Sequence, residues 1–224
     1  MLRTFFFVIL LAWLFRNEIL YQKKCKLDDQ NKECQIRFSR YDGIDPLNEC
    51  GERLNAYHNI DKDDIVLEIG GNIGSTSLII SDKLRDSSNL MVVEPSKMAV
   101  RRLLKNRGHR SFQIFNGAIG KKQLYGIEVG DMGYMKFGTG DKIRMISFDN
   151  LQARVGIFNT LVIDCEGCYT SLLGNEIPLD SIKKILIEWD GEFAESLLLS
   201  HGFVKTDQYA HPDLTHGIST YRRD

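Results

Sequence analysis

From Asp63 onward the chain alternates short apolar runs with longer stretches of helical spacing, and this alternation constrains its fold more than any other feature. The runs are Ile65 to Ile69, Leu90 to Val93, Phe112 to Phe115, Thr160 to Ile163 and Lys184 to Ile187. Most are rich in β-branched residues and read as strands buried on both faces. Between them Ser75 to Leu84, Lys97 to Asn106 and Tyr169 to Leu173 show helical spacing, and Glu192 to His201 follows the fifth run. Such an order specifies an α/β fold, a mostly parallel sheet with right-handed crossovers and helices on both faces. After Gly202, Phe203 to Thr206 and Gly217 to Arg222 read as two last strands, an antiparallel hairpin ending the sheet.

A length of 224 residues, 43% hydrophobic and 26% charged, suits one globular domain with a short appendage. The appendage is N-terminal. Residues 4 to 15 carry no charge and lie between Arg3 and Arg16, which predicts an apolar helix, read as a single-pass membrane anchor. A cleaved signal peptide and a buried helix are the alternatives. The expected organisation is an anchor with a basic flank over 1–26, a pre-core segment over 27–62 and the α/β domain over 63–224. Lysine and arginine after the apolar run favour a cytosolic domain, whereas Cys25, Cys34 and Cys50 would permit one bridge in a secretory lumen. The side of the membrane stays open. Overall charge is −1, from 29 Lys+Arg and 30 Asp+Glu, with +4 in residues 1–26 and −5 in the remainder. A chain so balanced offers no broad basic footprint, so nucleic acid is not an expected partner.

Ligands of an open parallel sheet bind beyond the carboxyl ends of its strands. The first such junction reads Glu68-Ile-Gly70-Gly71-Asn72-Ile-Gly74-Ser75, a glycine-rich turn before a helix, and the second places Glu94 at a strand tip. An acid there accepts hydrogen bonds from ribose hydroxyls. Asn72 occupies the middle-glycine position of a dinucleotide fingerprint, which disfavours NAD and an oxidoreductase; no phosphate-loop motif is present. Glu68 suits a ligand with a positive end. S-adenosylmethionine, with its sulfonium and ammonium, is the expected cofactor.

These residues resemble the FkbM-type methyltransferases, a family of S-adenosylmethionine-dependent enzymes with a Rossmann-like fold. The resemblance rests on Val66 to Gly74, Val93-Glu-Pro95, Asn116 to Gly120, Ile146 to Leu151 and especially Ile163-Asp-Cys-Glu-Gly167 followed by Leu172-Leu173. It covers approximately residues 55 to 205. It implies a seven-stranded sheet with one antiparallel strand, adenine contacts from Asn116, Gly117 and Ala118, and methyl transfer to an oxygen of a sugar, glycan-like or small polar acceptor. One position departs: Tyr169 stands where the family usually has a second glutamate.

Transfer to a hydroxyl needs in-line placement and a base. Asp164 and Glu166 follow the fourth strand, and His211 and His216 flank the last loop; these four are the candidate catalytic residues. Asp164, Glu188 and Asp190, on adjacent strand ends, would suit Mg²⁺. Alternatively Asp164 and Glu166 cap the next helix and contact the methionine part of the cofactor without metal. Cys165 and Cys168 form one C-x-x-C pair, too few ligands for zinc, and only Cys25, Cys34 and Cys50 are expected to bridge. Lys121 to Arg144 alternates glycines with Tyr125, Tyr134 and Phe137 and reads as an insert that governs substrate choice. A catalytically silent cofactor-binding domain is the alternative of another class.

Overall fold

A computed structural model describes residues 41–44, 50–130, 134–190, 195–210 and 216–224. The expected anchor, Cys25, Cys34 and His211 lie outside these residues. Among the described residues no helix is long and apolar enough to cross a membrane.

In chain order, α1 (Cys50–Asn59) leads to β1 (Val66–Ile69), α2 (Ser75–Lys83), β2 (Leu90–Glu94), α3 (Lys97–Arg107) and β3 (Gln113–Asn116). The insert follows as β4 (Ala118–Ile119), β5 (Tyr125–Val129), β6 (Tyr134–Phe137), β7 (Asp141–Lys142) and β8 (Met145–Ile146). Then come α4 (Phe148–Val155), β9 (Thr160–Ile163), α5 (Tyr169–Leu172), β10 (Lys184–Asp190), α6 (Glu195–Ser200), β11 (Val204–Ala210) and β12 (His216–Arg222).

Seven strands form one sheet in the order β11-β12-β10-β9-β1-β2-β3. All pairs among β3, β2, β1, β9 and β10 are parallel, and β12 enters between β10 and β11, antiparallel to both. The sheet reverses beside β1, the topological switch point at which such sheets bind ligands. Side chains alternate between two cores. Leu67, Met91, Leu161 and Ile185 face α4 and Phe158, while Val66, Val92, Val162 and Leu186 face the layer built on Ala56, Leu78 and Leu103. The insert is a three-stranded antiparallel sheet, β6-β5-β7, with β4 and β8 forming a separate parallel pair.

Two helices escaped the sequence reading. Helix α1 precedes the expected domain start yet packs with Ala56 fully buried, and the Thr220 hydroxyl donates to Asn55 at 2.7 Å. Helix α4 is capped by the Ser147 hydroxyl, which accepts from the Asn150 amide at 3.3 Å. At the opposite sheet edge from the strand tips, buried Lys184 bridges Asp61 and Asp64 at 2.5 and 2.6 Å.

Candidate functional site

Strand register gathers the site. Ile69 lies beside Val93 and Ile163, and Ile163 beside Ile187. One residue further along each strand, Gly70, Glu94, Asp164 and Glu188 therefore emerge side by side and line a cavity of about 490 Å³. Asn72, Gly117, Ala118, Cys165 and Glu166 add to its wall, and Leu124, Met135 and Phe137 of the insert cover it.

The glycine-rich turn is built by contact with its neighbours. Gly70 has φ +89°, and a Cβ there would fall 1.5 Å from the Asp164 carbonyl oxygen, so only glycine lets the two turns cross. Asn72 has φ +41°, in the left-handed region that asparagine tolerates better than most side chains. This conformation aims its amide at Glu94 Oε2, 2.8 Å away, while the Ser96 amide donates to Oε1 at 2.7 Å. Burial pushes the Glu94 carboxyl above its ordinary range; the Ser96 and Asn72 amides oppose this only in part, and the Glu128 charge adds to it. Gly71 and Gly74 do not line this cavity.

Glu68 borders a smaller space that shares Gly70, Asn72, Asp164 and Glu188 with this cavity. Strand alternation puts Leu67 and Ile69 on one face of β1 and Glu68 on the other, beneath α2, where the Ser77 hydroxyl donates to its carboxylate at 2.6 Å. It borders a second space of about 20 Å³, room for one water, along with Glu52, Gly71, Asp164 and Glu188. Asn116 is also a positioning residue: its Nδ2 donates to the carbonyls of Glu94 and Pro95 at 2.9 and 3.0 Å, which fixes the turn after β2.

Two members of the expected metal set, Asp164 and Glu188, converge with a third acid. Carboxylate oxygens of Asp164, Glu188 and Glu52 lie within 4.8 Å of one another, close enough for one cation to touch all three. Glu52 comes from α1 and had no signal in a reading based on strand ends. Side chains of Asp190 and His216 lie outside the described set; in backbone register the two residues pair across β10 and β12. The fit to a hard divalent ion is chemical, an all-oxygen donor set. An ammonium group would suit the same cluster.

Glu166 lines the cavity at φ +51°. Cys165 and Cys168, not expected to bridge, are disulfide-bonded to each other, because the turn brings their Cα atoms to 5.4 Å, within bridging range. Tyr169, at the departing position, is 2% exposed and belongs to the core. Glu128 of β5 accepts from the Ser96 hydroxyl and the Met98 amide, both at 2.8 Å, so the insert is fastened to the first turn of α3. Burial raises the Glu128 carboxyl, but these bonds and Lys97 hold it below its ordinary range.

No family model matches the chain, and no curated protein matches its sequence. Solved structures do share its fold. A candidate RNA methyltransferase from Pyrococcus horikoshii superposes with a TM-score of 0.52 at 16% identity, over 86% of this chain and 98% of that one. TrmK of M. capricolum, in complex with S-adenosylhomocysteine, gives 0.50 at 11% identity over 77% and 67%. A Rossmann-superfamily protein from Streptococcus agalactiae gives 0.50 at 9% over the same shares. The chain thus shares the Rossmann-like fold of these proteins. The exclusion of nucleic acid drawn from net charge is overturned: a neighbour in this fold is described as acting on RNA, and a charge summed over the chain says nothing of a local surface.

Proposed function

We propose that the protein is an FkbM-type O-methyltransferase that transfers a methyl group from S-adenosylmethionine to a hydroxyl of a sugar, glycan-like or small polar acceptor. The observation that carries this reading is the cavity itself, with buried Glu94 held by two amides beside the Gly70–Asn72 turn. Glu94 keeps further lone pairs for both ribose hydroxyls. The Gly117–Ala118 turn offers a backbone wall for the adenine. Glu52, Asp164 and Glu188 supply negative charge for the methionine ammonium, or would hold a divalent ion beside the acceptor hydroxyl.

Bound S-adenosylmethionine supplies the methyl group and leaves as S-adenosylhomocysteine. Asp164 or Glu166, both on the cavity wall, takes the hydroxyl proton as the oxygen–carbon bond forms. Phe137 and Met135 exclude water above and present an apolar face to a sugar ring. Residues 4 to 15 anchor this domain to a membrane, their basic flank resting on anionic headgroups.

Calorimetry of the full chain in detergent with S-adenosylhomocysteine, followed by labelled methyl transfer to a glycan panel with and without EDTA, tests the reading. Binding together with transfer is expected. Absence of binding would sink the cofactor assignment, and binding without transfer to any hydroxyl would leave the silent-domain alternative standing.

A further inference from the structure

A second open groove of about 480 Å³ lies behind the β4/β8 pair. Ala118 and Ile119 line the cofactor cavity, whereas Gly120 and the paired Met145 and Ile146 line this groove, so one two-stranded ladder separates the two spaces. Its charged lining consists of Lys121, Arg144 and Arg154. Among the described residues none of the three cations has a carboxylate partner.

The arginines are also positioned. Phe115 is 2% exposed, and the guanidinium carbons of Arg144 and Arg154 lie 4.8 and 5.8 Å from its ring centroid. Stacking on one ring holds both cations at the groove wall and leaves their N–H groups for a ligand. Ser147 and Asn150, at the amino end of α4, complete the lining, and the helix dipole there favours negative charge.

We infer that this groove binds the phosphate group of a nucleotide. Planar guanidinium pairs match phosphate oxygens, and the space suits one nucleotide rather than an extended protein segment. The phosphate can belong to a free nucleotide or to a nucleic-acid strand. The chemistry at the groove is the same.

The test titrates the full chain at low salt with inorganic phosphate, 5′-AMP and a short oligouridylate, for wild type, Arg154→Gln and the Arg144→Gln/Arg154→Gln double variant. Wild type is expected to bind at least one nucleotide probe saturably and more tightly than inorganic phosphate. Each substitution should weaken that binding about tenfold, the loss of one charge-assisted contact. Affinity for S-adenosylhomocysteine should be unchanged in both variants, which reports an intact fold. Tighter binding of oligouridylate than of AMP identifies a strand as the source, and equal binding identifies the free nucleotide. Absence of saturable binding to any probe, or equal affinity in wild type and the double variant, overturns the inference.

Discussion

Replacing Glu94 with Gln keeps the shape of the cavity floor and removes one acceptor. In the wild type each carboxylate oxygen accepts one amide, Ser96 on Oε1 at 2.7 Å and Asn72 on Oε2 at 2.8 Å. Gln has a single carbonyl oxygen, so its NH₂ must face one of those amides, donor against donor. A buried donor left without an acceptor costs about 1–3 kcal/mol, offset in part because a carboxylate is no longer desolvated. At the ribose, at least one bond to a charged acceptor is lost, about 1.5–3 kcal/mol, so Kd for S-adenosylhomocysteine should rise roughly 10- to 150-fold. The pH dependence separates this from general damage. Because burial holds the folded Glu94 carboxyl above its ordinary value of 4.5, the folded state binds that proton more tightly than the unfolded chain. Its contribution to apo-protein stability is therefore fully present below the ordinary value and lost as pH rises through the raised one. Ligand affinity runs the other way, since ribose hydroxyls donate best to the ionised form. Wild-type affinity should fall as pH drops into that window, while the Gln variant stays flat there. Calorimetry across the window decides the matter: an unchanged Kd in the variant at neutral pH, or a flat wild-type profile, would refute the ribose assignment.

Gly70→Ala should unfold the site, because the added methyl would fall 1.5 Å from the Asp164 carbonyl oxygen at φ +89°; a loss of about 3 kcal/mol or more is expected in urea titration, with cofactor binding abolished. Lys184→Met strands the buried Asp64 carboxylate and should cost about 3–5 kcal/mol by the same assay. The hydrogen bond from Lys184 is the chief cause that holds Asp61 below its ordinary value of 3.8, so its stabilisation exists above that value and is lost as pH falls through the folded one. In the Met variant this part of the acid sensitivity should vanish from a pH series of urea midpoints. Glu52→Gln should weaken S-adenosylhomocysteine about fivefold by removing charge opposite its ammonium, and leave 5′-methylthioadenosine, which lacks that ammonium, unaffected.

The central strands were legible because β1, β2 and β9 are buried at every position, and an apolar β-branched run fits little else. Helix α1 was not, since its packing is supplied by tertiary contacts to α2 and β12 rather than by a continuous apolar stripe. With it the sequence reading lost Glu52. A period of two places Glu68 on the face opposite Leu67 and Ile69, where it borders the smaller space that shares Gly70, Asn72, Asp164 and Glu188 with the main cavity. The Cys165–Cys168 bridge was not expected, because the C-x-x-C spacing was set aside as a redox or metal motif, whereas the turn after β9 brings the two Cα atoms into bridging range.

Net charge failed as a guide to partners because it adds groups that never meet. Glu52, Asp164 and Glu188 converge at the strand tips, where they favour a cationic ligand end and repel phosphate. Lys121, Arg144 and Arg154 converge on the far side of the β4/β8 ladder, where phosphate is favoured. These three acids and three cations sum to zero, yet they line different spaces on the two sides of the ladder. A ligand-binding surface is therefore set by which strand ends and helix termini bring like charges together without partners. Here the β3 edge carries cations without a carboxylate partner among the described residues and the β1/β9/β10 edge carries the acids, so anionic ligands should be sought at the first and the cationic end of the cofactor at the second.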